Sequence, residues 1–194
     1  MRSDKVLYFV IVLIALSHCL SGCVYSPWRK ESYVNKINIP HVAGKLPGKE
    51  GFESFFVSGA FVEAHISGTD STSNSGSAPY RLSVYVSGYK NKHKLIKIHD
   101  ITVLSNKQNK FEVPSALLRE KNFEFSIYGK RFPNFVTAII RSGYDYDFDI
   151  EKDKDITVVV DISVVNVDGE IERAKVKHEF ESKLEKGRFL MLTH

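Results

Sequence analysis

From Phe52 onward the dominant period of the apolar residues is two rather than 3.6, and this period constrains the chain more than any other feature of its 194 residues. A period of two places alternate side chains on opposite faces of an extended strand, which excludes helix as the main element. Val, Ile, Phe and Tyr dominate the runs, and Gly, Pro or Asn separate them. Strands are expected over Ser54–Ile66, Tyr80–Tyr89, Leu95–Leu104, Asn122–Tyr128, Phe135–Arg141, Tyr144–Glu151, Ile156–Val167, Ile171–Leu184 and Phe189–Leu192. One short helix is expected over Ser115–Lys121, where Ser115 can cap the first turn and Asn122 can end it.

About nine strands with one short helix imply an all-β chain folded as an antiparallel β-sandwich, immunoglobulin-like or transthyretin-like. The C-terminal pair is the most explicit. Val158, Val160, Ile162 and Val164 mark one strand face, and Ala174, Val176, His178 and Phe180 mark a face of the next. A three-residue Asp168-Gly169-Glu170 loop would pair Val164 with Ala174, Ile162 with Val176 and Val160 with His178. The opposite face would then pair Asp161 with Lys177. His178 on the inner face reads as a hydrogen-bonded core histidine.

The first two dozen residues follow another rule. Arg2 and Lys5 precede Val6–Leu20, where 13 of 15 positions are apolar. That run is shorter than the roughly 20 residues a spanning helix needs, so it reads as the apolar region of a secretory signal peptide. Leu20-Ser21-Gly22-Cys23 resembles the lipobox of bacterial lipoproteins, in which small residues precede a cysteine that receives the lipid. The resemblance implies a cleaved signal peptide over 1–22 and a covalent lipid on Cys23; no other cofactor is expected. A lipidated, Pro- and Gly-containing tether is expected over 23–50, and the β-sandwich domain over 51–194. The position after Cys23 is Val24 rather than Asp, which by the same resemblance favours the outer membrane, facing the periplasm. Cleavage removes Cys19 and lipidation consumes Cys23, so no disulfide is expected to brace the domain.

With 27 basic and 23 acidic side chains the net charge is +4, too small and too dispersed to point to nucleic acid. Two local clusters stand out. In Tyr144–Glu151 the carboxylates Asp145, Asp147, Asp149 and Glu151 alternate with Tyr146, Phe148 and Ile150, giving one acidic strand face. The run echoes the start of an EF-hand loop, but Ile150 and Ile156 stand where that loop needs its Gly and its final Glu. No metal site is therefore expected, and the acidic face is a candidate partner-binding surface. The second cluster, Lys90, Lys92, Lys94 and Lys97 with His93, surrounds a turn that reads as a hairpin tip and is a candidate basic contact. Gly68–Ser77 is a Ser-rich connection without apolar residues.

No metal-binding histidine spacing, Gly-x-Ser-x-Gly elbow or phosphate-cradling glycine loop occurs, so neither catalytic residues nor enzymatic activity are expected. The expectation is an outer-membrane lipoprotein, held to the membrane by its lipid, whose periplasmic sandwich binds a protein partner. It could do so as an immunity protein that neutralises a periplasmic toxic effector. An envelope or secretion-system assembly lipoprotein is the alternative, and a small-ligand carrier or enzyme is the alternative from another class.

Overall fold

The computed structural model describes residues 23–39, 44–68, 78–106, 110–125, 132–143 and 146–192. The expected signal peptide with Leu20-Ser21-Gly22, most of the Ser-rich connection, Tyr144 and Asp145 lie outside the described residues. The chain is all-β. Its strands are β1 (Cys23–Asn35), β2 (Phe56–Val57), β3 (Ala60–Ser67), β4 (Arg81–Tyr89), β5 (His93–Ser105), β6 (Lys110–Phe111), β7 (Glu120–Asn122), β8 (Glu124–Phe125), β9 (Phe135–Arg141), β10 (Asp155–Asn166) and β11 (Ile171–Leu192). Two compact units are present, one of Glu31–Leu184 and a small one containing Cys23–Lys30 with Glu185–Leu192.

Within the larger unit two sheets pack as a sandwich. One has the order β1-β11-β10-β5-β6, with β7 also pairing β5, and the other has the order β2-β3-β4-β9-β8. The alternation read from the sequence fills the space between them. Val62 and Ala64 of β3, Val84 and Val86 of β4, and Ala138 and Ile140 of β9 are buried in one core with Val158, Val160 and Ile162 of β10 and Val176 of β11. Tyr33 and Ile39, upstream of residue 51, also belong to that core. At one end Phe148 is the centre of an aromatic group, with Tyr33, Tyr80, Phe111 and Tyr146 at centroid distances of 4.8–5.7 Å. Tyr33 also donates from its hydroxyl to the Asp153 carbonyl at 2.9 Å, which ties β1 to the segment before β10.

Several boundaries differ from the expected ones, each for a local reason. The strand expected over Ser54–Ile66 is broken into β2 and β3 by a two-residue turn at Ser58-Gly59, whose φ angles of 52° and 78° are those of a type I′ hairpin. The expected helix is a single 3-10 turn, Ser115–Leu117, anchored by buried Leu117. Ile171–Leu184 and Phe189–Leu192 are parts of one strand, β11. The described part of the expected Tyr144–Glu151 strand, Tyr146–Glu151, is not a ladder strand: Tyr146 bridges Tyr80, and the chain then turns at Asp149. There the Asp149 carboxylate accepts from the backbone N–H groups of Glu151 and Lys152, and Asp153 Oδ2 accepts from Asp149 N–H. Side-chain oxygens thus satisfy donors that a neighbouring strand would otherwise bond.

The β10–β11 hairpin keeps the expected faces but shifts its register by two residues. Val164 pairs with Glu172, Ile162 with Ala174, Val160 with Val176 and Val158 with His178. Asp161 lies opposite Lys175 rather than Lys177. The loop is Val167-Asp168-Gly169, because Gly169 alone of these residues adopts a positive φ, 91°, and Asn166 N–H donates to the Glu170 carbonyl at 2.9 Å. A shift of two preserves strand parity, so the hydrophobic pattern cannot distinguish the two registers.

Candidate functional site at the turn-bearing end of the sandwich

Lys90 and Lys92 do not cap a hairpin. Tyr89 ends β4 in one sheet and His93 begins β5 in the other, so the three residues between them carry the chain across the sandwich. His93 makes this sharp crossing possible. Its buried ring folds back so that Nδ1 accepts from Tyr89 N–H at 2.9 Å, and Nε2 lies 3.1 Å from the Ser58 carbonyl oxygen. Those two bonds require the proton on Nε2. A second proton would set Nδ1–H against the Tyr89 N–H, and burial itself lowers the proton affinity of the ring below the usual histidine value. Gly88 supplies the room, since a Cβ there would lie 2.4 Å from His93 Nδ1.

Other turns join the same end. Lys90 N–H donates to the Asn134 carbonyl at 2.9 Å, just before β9, and Val167 N–H donates to the Lys92 carbonyl at 2.9 Å. Ser58, in the β2–β3 turn, is held by three elements. Its N–H donates to Glu172 Oε2 at 2.8 Å, its Oγ accepts from Asn166 Nδ2 at 2.8 Å, and its carbonyl faces His93. These long-range bonds bind the β2–β3, β4–β5 and β10–β11 turns into one frame. Tyr89, Lys90, Lys92 and Lys94 are exposed there, as are Val167, Asp168, Glu170 and Ile171.

Two irregularities in the β5–β10 ladder shape the adjoining sheet face. Register shifts at Val165/Asn166 and Asp161/Ile162 leave Lys94 and His99 as extra residues on β5. The first allows His93 to point inward while Lys94 stays exposed. The second brings His99 Nε2 within 2.8 Å of Ser163 Oγ. Next to it, Arg173 grips Asp161 through Nε and one Nη, at 2.7 and 2.8 Å. That fork holds the Asp161 carboxyl below the usual carboxylate range. Ser163 is only 6% exposed and both Asp161 oxygens are engaged by Arg173, so the group ties three strands together.

A depressed carboxylate pKa contributes stability above the unfolded value near 3.9 that is lost as pH falls through the lower folded value. Asp161→Asn should therefore lower the thermal midpoint at pH 7, with the difference from the parent shrinking below about pH 4. Thermal melts across that pH range read the effect, and an equal difference at pH 7 and pH 2.5 would contradict it.

The sequence-derived candidates separate in space and role. Lys90, Lys92 and Lys94 belong to the turn-bearing end, whereas Lys97 lies along β5 and pairs with Glu120 at 3.2 Å. Of the acidic candidates, Asp147 and Glu151 are exposed, and Asp145 lies outside the described residues. Asp149 is committed to its own turn and to Lys152 Nζ at 2.7 Å, which holds its carboxyl below the usual range. Asp147, Asp149 and Glu151 thus do not form one strand face. His178 is buried as expected, but among the described residues neither ring nitrogen has a hydrogen-bond partner. Ser58, Asn166, Val167 and Ile171 were not legible as site residues, because their meeting depends on how the sheets pair. No protein-family model, curated protein or solved structure matches the chain.

Proposed function

We propose that the protein is an outer-membrane lipoprotein, anchored by a lipid on Cys23, whose β-sandwich faces the periplasm and binds a protein partner through its turn-bearing end. The carrying observation is the sequence Leu20-Ser21-Gly22-Cys23 behind a basic start and a short apolar run. Lipidation at that cysteine would place two or more acyl chains in the bilayer, each buried methylene contributing about 0.8 kcal/mol, which makes release slow. Support for binding comes from the frame just described, because turns fixed on a rigid sandwich present side chains with little ordering cost. Exposed Val167, Ile171 and Tyr89 beside Lys90 and Lys92 give that frame the apolar centre and polar rim typical of protein interfaces.

Labelling cells with a palmitate analogue tests the anchor. The parent chain should be labelled and found in the outer-membrane fraction, and Cys23→Ala should abolish labelling and accumulate as uncleaved precursor. Continued labelling of Cys23→Ala, or a soluble parent chain, would overturn the reading.

A further inference from the structure

We infer that the partner seated on the turn-bearing end is a second copy of this chain, related by a two-fold axis passing near Val167 and Ile171. The inference rests on the reading of this end as a docking surface. Val167 and Ile171 are 55% and 67% exposed, more than any other large apolar side chain among the described residues. They do not stand alone. Ile171 pairs with Val165, which pairs in turn with Leu95, so an apolar row runs across β11, β10 and β5 and continues into the turn at Val167. A contiguous apolar surface of this kind marks a contact site where a lone exposed valine would not.

The charges around the row select the occupant. Lys90, Lys92 and Lys94 lie on the β4–β5 side, and Asp168 and Glu170 lie on the β10–β11 side. The bond from Val167 N–H to the Lys92 carbonyl fixes the two sides next to each other. A uniformly acidic partner would face Asp168 and Glu170, and a uniformly basic one would face the lysines. The matching surface has an apolar centre with carboxylates on one side and ammonium groups on the other. This end of the molecule is itself such a surface, and a two-fold axis would bring the lysine side of each copy against the acidic side of the other. Lys36 N–H, just after β1, donates to the Glu179 carbonyl, eight residues along β11 from Ile171, so this contact lies roughly 26 Å from the patch.

A benzophenone amino acid placed at Val167 of the full chain, illuminated in intact cells, tests the inference. An adduct with the mass of two copies is expected. It should fall several-fold with Lys92→Glu or Asp168→Lys alone and recover when the two are combined, since the exchanged charges again face each other across the axis. Circular dichroism of each purified variant confirms that the fold persists. An adduct only with a different protein would overturn self-association while leaving this end a docking surface. No adduct from Val167 would overturn both.

Discussion

His178→Leu should make the protein more stable, and the gain should grow as the pH falls. His178 sits on the inner face of β11, 1% exposed, with its ring 5.0 Å from Phe55 and 6.5 Å from Phe180. Neither nitrogen has a hydrogen-bond partner among the described residues, so folding removes two polar atoms from water without replacing their bonds. Burial, opposed by Glu63 and slightly assisted by nearby His65, pushes the pKa of the ring down to about 4.

The sign follows from which state holds the proton. Between about pH 6.5 and pH 4 the unfolded chain binds a proton at His178 that the folded chain refuses, so stability falls as pH decreases across that window. The loss from this group approaches about 3 kcal/mol at pH 4, and above pH 6.5 it vanishes. Leucine fills a similar volume and carries no charge. The variant should be about 1 kcal/mol more stable at pH 7, after allowance for the lost ring contact with Phe55, and about 4 kcal/mol more stable at pH 4. Urea unfolding at both pH values measures this. A parent and variant that lose stability in parallel between pH 6.5 and 4 would show that His178 is not the group that refuses the proton.

Gly88→Ala should be among the most damaging single-methyl additions in the protein. The new Cβ would stand 2.4 Å from His93 Nδ1, 2.9 Å from Cγ and 3.1 Å from Cε1. An exposed side chain could swing away, but His93 is buried and its two nitrogens hold Tyr89 N–H and the Ser58 carbonyl. Relief of the clash therefore requires breaking the bonds that guide the chain from one sheet to the other. Overpacking and two lost bonds together cost about 3 kcal/mol, or roughly 10 °C in thermal midpoint for a unit of this size. His93→Ala removes the obstructing ring, so the double variant should be far less destabilised than the sum of the two single ones. Additive losses would show that the glycine is needed for another reason.

The two predictions turn on residues that the sequence treats very differently. His178 is legible as an inward-facing residue, because Ala174, Val176 and Phe180 share its parity. Its lack of a partner is not, since that depends on what β3 and the 3-10 turn Glu53–Phe55 place opposite it. Gly88 gives no signal at all: it lies inside a strand, and only the folded-back ring of His93 makes it indispensable. The lysines at 90, 92 and 94 are visible as a cluster, whereas the acidic turn and the exposed aliphatic side chains beside them come from β10 and β11, more than seventy residues later.

By itself the sequence determined the all-β class and the alternation that assigns inner and outer faces, and it supplies the N-terminal pattern from which a signal peptide and lipidation are proposed. These depend on neighbours a few residues apart, where a period of two or a run of apolar residues acts through local geometry. Tertiary structure alone decided the β10–β11 register, the crossing between sheets at Lys90–Lys92, the turn that replaces the acidic strand and the frame around Ser58. Each of those choices leaves the hydrophobic pattern unchanged. What settles them is which long-range hydrogen bonds and close contacts can be completed at once, and those join segments as far apart as Ser58 and Glu172.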